Sequence, residues 1–437
     1  MQESIKYIIQ FILGDHVSPD LASYVGYTND TTNNEHYKII IKPSGFFDDT
    51  FYGTQESLPT TPLKIWEETP ILYGEPNSET INNQIIIYAD IVASSYFLIS
   101  RYEGYIRKDV RDVHGRFPGK ESLPYRAGFI DRPLVDEYGK ILRAFLRDLG
   151  IDAPEPPKEI RKIYLTHDVD YLAHYRNLRG IIGGILRGIK RPKEGQKAFK
   201  SYFGSLRNDP WYTFPFLFKL DTRLTQKMGS EKCESITFIR SSCKKNKEDK
   251  PYPNLLHPDY RNFIRYTKRK GITIGLHASY AAGIKPSVIS LEKSKLEKLA
   301  KVKTNYNRFH YLNTRQPEDM KHLIDAGITD DFSIGYADMA GFRLGTCRAV
   351  KFINPTNREI SDLLLHGLTI MDRTLDDKRY MYMNAHDAYQ YCTQLIDCIE
   401  NFNGELSLLW HNNSVEKNSQ SYHRQLYIDL IKHLLEK

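Results

Sequence analysis

Cysteine is scarce in this chain. Its 437 residues hold five (Cys233, Cys243, Cys347, Cys392 and Cys398), scattered, odd in number and without a C-x-x-C pair. That excludes a disulfide framework and a zinc ribbon, and fits a reducing compartment. Long apolar runs are also missing, since no stretch approaches the roughly 18 apolar residues a membrane span needs. The segment Met1 to Leu13 spaces its apolar residues as a helix would, but lacks a charged leader, a continuous apolar core and a cleavage site. The expectation is a mature cytoplasmic terminus. There is no internal repeat and no low-complexity tract of note. Gly180, Gly183, Gly184 and Gly188 do not form a phosphate-loop pattern, and they weaken any helix there. No nucleic-acid partner is expected.

What is present describes a soluble globular protein with sizeable cores, at 41% hydrophobic and 26% charged residues. At roughly 150 residues per domain, the length implies two or three domains. The proline-rich stretch Asp152-Ala153-Pro154-Glu155-Pro156-Pro157 interrupts any helix or central strand and marks a boundary. Residues 1–153 form the first expected unit, mixed α/β, with strands at Tyr37–Ile41 and Gln84–Ile87 and helices at Ile91–Ser100 and Leu134–Leu149. The polar segment Arg111 to Phe117 reads as a loop supporting a domain interface. Formal charge is +7. Between Arg176 and Arg207 nine basic residues stand against one acid, Glu194, with Leu178, Ile181, Ile182, Ile185, Leu186 and Ile189 interleaved. Such an insertion, around 174–210, suits an anionic membrane face or a phosphorylated carrier; a solvated lysine-rich surface is the plainer alternative.

The second unit, 158–437, alternates strand-like and helix-like segments. Strands are expected at Tyr164–Asp168, Ser235–Ile239, Ile272–Leu276, Asn307–Tyr311, Phe332–Tyr336 and Leu406–Trp410, with helices at Tyr260–Lys270 and Leu291–Lys301. That order implies βα units and a parallel sheet or barrel. The stretch Thr166-His167-Asp168-Val169-Asp170 ends the first strand in two carboxylates on one side, where barrel enzymes keep their chemistry. An Asp after a strand also caps turns, so the pair alone decides little. Three strand-end histidines add weight: His277, His310 and His411.

Taken in order, Thr166 to Asp170, His277 with Ser279, Arg308 to Tyr311, Asp338 with Arg343, and Leu409 to Asn412 resemble the five motifs of the polysaccharide deacetylase family, the NodB-homology group of metal-dependent carbohydrate esterases. The likeness runs from about Lys162 to the C-terminus. It is nearest a bacterial branch with an H-D-V-D first motif, a G-L-H-x-S-Y second motif and an extra N-terminal domain. The resemblance implies an α/β fold, a distorted (β/α) barrel preceded by a smaller mixed α/β domain. It also implies hydrolysis of a linear amide C–N bond, removing an N-acetyl group from a saccharide, with a divalent metal ion, most often zinc. In that pattern Asp168 is the base, His411 the acid, and Arg308 holds Asp168 ionised. Asp170 and His277 are metal ligands, and the Tyr311 N–H meets the developing oxyanion. Tyr311 and Trp410 offer flat faces to a sugar, Asp338 orients a catalytic histidine, and Arg343 lies near the site mouth or only holds its loop.

One departure matters. The family's second motif usually carries another histidine where this chain has Ala281. His310 is the expected replacement ligand, with Ser279 the weaker candidate, better suited to orienting water or substrate. The expected function is a cytoplasmic deacetylase of surface polysaccharide or glycoconjugate synthesis. It would act on an N-acetylated saccharide, free or carrier-linked, with peripheral contact at the inner membrane face as a further expectation. The alternatives are a carbohydrate-binding protein that has lost the metal, and a metal-dependent hydrolase of another bond.

Overall fold

The computed structural model describes residues 1–30, 36–315, 318–417 and 419–437. Before the proline-rich stretch, a four-stranded sheet runs in the order β1 (Val25–Tyr27), β2 (Ile39–Ile41), β6 (Gln84–Ala89), β5 (Gly74–Ile81), with β3 (Lys64–Trp66) and β4 (Thr69–Ile71) as a separate hairpin. Its inner strands are isoleucine-rich because they are covered: Ile39, Ile40, Ile41 and Ile87 are all buried. The helix Ile91–Ile99 is buried on every side and starts on Asp90, whose carboxylate accepts from the Ala93 N–H. It packs with the helices Gln2–Leu13 and Leu134–Asp148.

After that stretch, nine strands make one sheet: β7 (Lys162–Val169), β8 (Cys233–Ile239), β9 (Thr273–Ala278), β10 (Tyr306–Phe309), β11 (Asp330–Ile334), β12 (Val350–Ile353), β13 (Ile360–Gly367), β14 (Ile370–Met371) and β15 (Glu405–Leu409). All neighbours pair parallel except β12, which lies antiparallel on β13. The sheet curls until its ends meet. β13 pairs with β11, the chain passes through Leu368 and Thr369 into β14, and β14 pairs with β15. Two bonds hold the crossing, Leu368 N–H to the Ile334 carbonyl at 2.8 Å and Thr369 N–H to the Ser407 carbonyl at 3.3 Å. The architecture is therefore mixed α/β with a curled, barrel-type sheet. Apolar contacts run without a break between the barrel's outer shell and the N-terminal elements.

Alternation along β7 sorts its side chains. Tyr164 meets Ile236, Phe238 and Phe332 inside the barrel, whereas Ile163 and Leu165 join the apolar layer under the helices. His167 consequently points outward, bonding Asp221 of the helix Phe214–Met228 at 2.9 Å. The basic insertion is a hairpin of two helices, Leu178–Lys190 and Pro192–Phe203. Its glycines do not prevent helix formation as their intrinsic preference implies, because they let the helices touch. A Cβ on Gly188 would stand 2.7 Å from the Gly195 Cα, and one on Gly184 2.4 Å from the Ala198 Cβ.

Ring closure also carries an ion pair. His366 on β13 reaches Glu405 of β15 at 2.8 Å and Asp330 of β11 at 3.0 Å. Burial works to lower its pKa, but the Glu405 charge and the bonds to both carboxylates outweigh that and raise it to about 9. A folded pKa above the unfolded one gives stability that is full below about pH 6.5 and disappears as pH rises through about 9. A shift of that size corresponds to at most about 3 kcal/mol. The stability difference between wild type and His366→Gln, measured by urea unfolding, should shrink from pH 6 to pH 9.5; a constant difference contradicts the charged bridge.

Candidate metal centre

Four parallel strands deliver the site from their C-terminal ends. At the end of β7, Asp168 within the strand and Asp170 just past it follow Tyr164 and Thr166 on the inward parity. His277 is inward on β9, Arg308 and His310 lie at the end of β10, and His411 comes two residues after β15. Asp170, His277 and His310 present ligand atoms that all lie within 4.8 Å of one another, and among the described residues they are the one cluster of this kind. Nε2 of His277 and Nε2 of His310 are each 3.2 Å from Asp170 Oδ1.

The imidazoles are pre-oriented. His277 Nδ1 donates to the Arg308 carbonyl at 2.8 Å and His310 Nδ1 to Asp249 Oδ1 at 2.9 Å, which directs both Nε2 atoms at Asp170. Burial works to raise the Asp170 carboxyl, but His310 and His277 outweigh it and hold it well below the usual carboxylate range. Asp249 is itself fixed by the N–H groups of Tyr280 at 2.8 Å and Ala281 at 3.0 Å. Thus the position where the second motif lacks a histidine supplies a backbone donor that steadies the imidazole from the next strand. Two imidazoles and one carboxylate, with open space beside them, fit a divalent ion that keeps a free coordination position.

Asp168 stands next to this triad, 3.7 Å from His277 Nε2. Arg308 Nη1 holds it at 3.2 Å and also donates to Thr166 Oγ1 at 2.6 Å, while Nε donates to the Phe332 carbonyl at 3.0 Å. The guanidinium lies over the Phe238 ring at 4.6 Å, so Nε, Nη1 and one face are held while Nη2 is buried without a partner. Opposite, His411 Nε2 is 3.7 Å from Asp170 Oδ2 and its Nδ1 bonds Asp372 at 2.8 Å. Burial lowers the imidazole pKa, but the Asp372 charge and bond dominate and raise it to about 9. All six groups border one cavity of about 320 Å³ except Arg308, which acts from beneath it.

Three sequence expectations are corrected, and a fourth is narrowed. Trp410 is no sugar platform: alternation that turns His411 inward turns Trp410 outward, where it is fully buried with its Nε1 donating to the His423 carbonyl at 3.1 Å. Ser279 is neither ligand nor substrate contact; it is buried, caps the helix Tyr280–Ile284 and donates to Glu292 at 2.6 Å. Asp338 does not orient a catalytic histidine, because it accepts from the Gly119 and Lys120 N–H groups of the N-terminal unit at 2.7 and 3.1 Å. Of the two readings of Arg343, the site-mouth one is not met and the loop-holding one agrees with the geometry: it donates to the Gly335 carbonyl at 2.6 Å with its guanidinium over the Tyr336 ring, away from the triad. Tyr311 does reach the cavity, half exposed, with a left-handed backbone at φ 63°.

The sequence alone did not point to Asp249 or Asp372. Each follows a stretch without strand or motif signal, and only folding shows that they face His310 and His411. Arg116 was read only as part of an interface loop. It donates to the Tyr311 carbonyl at 2.8 Å and to Tyr380 Oη at 3.2 Å, so the N-terminal unit helps build the rim.

Comparison with known proteins adds little. A family model described as a family of unknown function, DUF7033, matches residues 2–150. No curated protein matches the chain. Among solved structures, a protein described as a polysaccharide deacetylase from Mycobacterium smegmatis is 12% identical with a TM-score of 0.39, covering 64% of this chain and 86% of its own. Puue allantoinase is also 12% identical, with a TM-score of 0.38 and coverages of 65% and 89%. Likeness at that level bears on no residue's role; the chemistry rests on the chain's own geometry.

If Asp249 orients a ligand, Asp249→Asn should weaken zinc affinity roughly tenfold to a hundredfold, as loss of such partners does. Ser279→Ala should leave the affinity unchanged. Competition titration against a chromophoric chelator reads both, and equal losses in the two variants contradict the assignment.

Proposed function

We propose that this protein is a zinc-dependent hydrolase that removes an N-acetyl group from a saccharide, in the manner of the NodB-homology deacetylases. The observation that supports it most is the convergence, at one cavity, of the triad Asp170, His277 and His310 with two separately anchored proton-transfer groups, Asp168 and His411. A bound zinc ion supplies Lewis acidity, polarising the amide carbonyl and easing deprotonation of water. The chain's own residues do the rest. Asp168, held in place by Arg308, takes the proton from the attacking water as its oxygen bonds to the carbonyl carbon. His411, held protonated by Asp372, gives a proton to the nitrogen as the C–N bond breaks. Acetate and a free amine leave. The Tyr311 N–H is the proposed donor to the oxyanion, and its ring the face against which a sugar packs.

Supporting this over a metal-free carbohydrate-binding protein is His310, which fills the place that the missing histidine at Ala281 would leave open. A lectin needs neither a base nor an acid. A hydrolase of another bond, such as a phosphoester, is less favoured because two-metal clamps suit that chemistry and the described residues form a single triad. With zinc bound, acetate release from N-acetylated saccharides should fall by about two to four orders of magnitude in Asp168→Asn and in His411→Ala. Saccharide binding by calorimetry with no acetate release from any of them would favour the binding protein instead.

The proposal extends to place and partner. No helix among the described residues is long and apolar enough to cross a membrane. On the hairpin, Leu178, Ile182, Ile185, Leu186 and Ile189 share one helix face and are exposed, as are Phe199 and Phe203 on the second helix. An exposed apolar stripe beside the hairpin's seven basic residues suits shallow insertion into an anionic bilayer, and so a carrier-linked substrate at the inner membrane face of a cytoplasmic enzyme. Units 1–153 and 158–437 are, in this reading, separate folding units. Wild type should float with phosphatidylglycerol vesicles and Ile185→Asp/Ile189→Asp should not; flotation of both contradicts the docking face.

A further inference from the structure

A second cavity, of about 360 Å³, lies where the N-terminal elements meet the barrel loops, and it shares no lining residue with the metal-bearing one. Four guanidinium groups border it: Arg101 and Arg111 from the N-terminal side, Arg315 and Arg343 from the barrel side. Among the described residues none of the four forms an ion pair with a carboxylate. Arg111 spends its Nη atoms on the carbonyls of Arg107, Val110 and Gly104, and Arg343 spends one on Gly335.

Arg101 spends nothing. It is 6% exposed, and Nε, Nη1 and Nη2 are all buried without a hydrogen-bond partner. In the same wall Thr314 Oγ1 is a buried hydroxyl with no partner. Leaving a buried cation unpaired is among the most destabilising arrangements a fold can hold. Burial, with Arg343 adding to it, pulls the Arg101 pKa down to about 9, so it remains charged at neutral pH. Asp331 and Asp319 oppose that only through space; Asp331 is engaged by Asn307 and Ser333, both at 2.8 Å. The carboxylate on the wall, Glu103, is already neutralised by Arg126 at 2.6 Å and Arg107 at 3.0 Å.

We infer that this cavity is a binding site for a phosphoryl group, either free phosphate or pyrophosphate or the phosphate of a larger ligand, with Arg101 as its anchor. The donor inventory favours a phosphoryl group over a carboxylate. Arg101 alone offers five N–H donors, Thr314 one more, and Arg343 further ones, against the roughly four lone-pair positions of a carboxylate. Planar guanidinium forks also match phosphate oxygens in pairs. The site stands independently of the hydrolase reading. Its walls are nevertheless the neighbours of the metal cavity's walls: Gly115 precedes Arg116, Thr314 follows Leu312 closely, and Tyr336 precedes Ala337. A ligand here would therefore brace the loops that carry Tyr311 and the catalytic rim.

The test is calorimetric titration of the full chain, at fixed ionic strength, with inorganic phosphate, pyrophosphate, a nucleoside diphosphate and acetate. Saturable binding of at least one phosphoryl probe is expected, with acetate silent. Arg101→Met and Arg343→Gln should each weaken it roughly tenfold to a hundredfold. Zinc affinity should be unchanged in both, which shows that the variants fold. Tighter binding of the nucleoside diphosphate than of pyrophosphate supports an organic ligand, and equal binding supports the free anion. No saturable phosphoryl binding, binding unaltered in both variants, or an equal response to acetate overturns the inference.

Discussion

Alternation of side chains along a closed ring of strands is the constraint on which the rest of this structure depends. Once Tyr164 is committed to the barrel interior, Thr166, Asp168 and Asp170 must follow it inward, and His167 must face the helices. The same parity turns His277 and His411 inward and Trp410 outward. Charged groups so placed cannot be solvated freely, so each inward group needs a partner, and the structure supplies one: Arg308 for Asp168, Asp249 for His310, Asp372 for His411, and the Arg308 carbonyl for His277. The orientation of these groups and the cost of burying them are met by the same bonds. Even at the opposite end of the ring, His366 between Asp330 and Glu405 obeys the rule.

Arg101 is the exception. Its guanidinium is buried with none of its three nitrogens bonded, and the contrast with the groups at the barrel mouth, each of which has at least one partner, makes it informative. Folds tolerate an uncompensated buried charge where a ligand completes it. Between the two cavities runs a shared set of loops from both halves of the chain, tied by Asp338 to Gly119 and Lys120 and by Arg116 to Tyr311. The N-terminal elements thus contribute to the site's rim as well as to the apolar core they share with the barrel's outer shell.

Much of the barrel is legible in the sequence, because apolar segments such as Ser235–Ile239 and Ile272–Leu276 are near-continuous runs, as buried parallel strands must be. β13 escapes that reading: its Ile360-Ser361-Asp362 start is polar, and it shows as a strand only once it closes the ring. Asp170, His277 and His310 could be named because strand ends and motif order constrain them. Trp410 follows the parity rule: an aromatic next to an inward-facing histidine at a strand end faces the other way. Ser279 looked like a ligand because capping serines and polar site residues occupy the same strand-to-helix turns. Asp249 and Asp372 were invisible, since nothing in local sequence ties a loop carboxylate to a histidine dozens of residues away.

The central claim is that three side chains from three different strand ends hold one metal ion. An anomalous-scattering map at the zinc edge, from crystals of wild type and of Asp170→Ala soaked alike, tests it most directly. One peak in contact with Asp170, His277 and His310, absent from the variant, is the predicted result. No peak at that position under saturating zinc, or a peak that survives the substitution unchanged, would contradict the account.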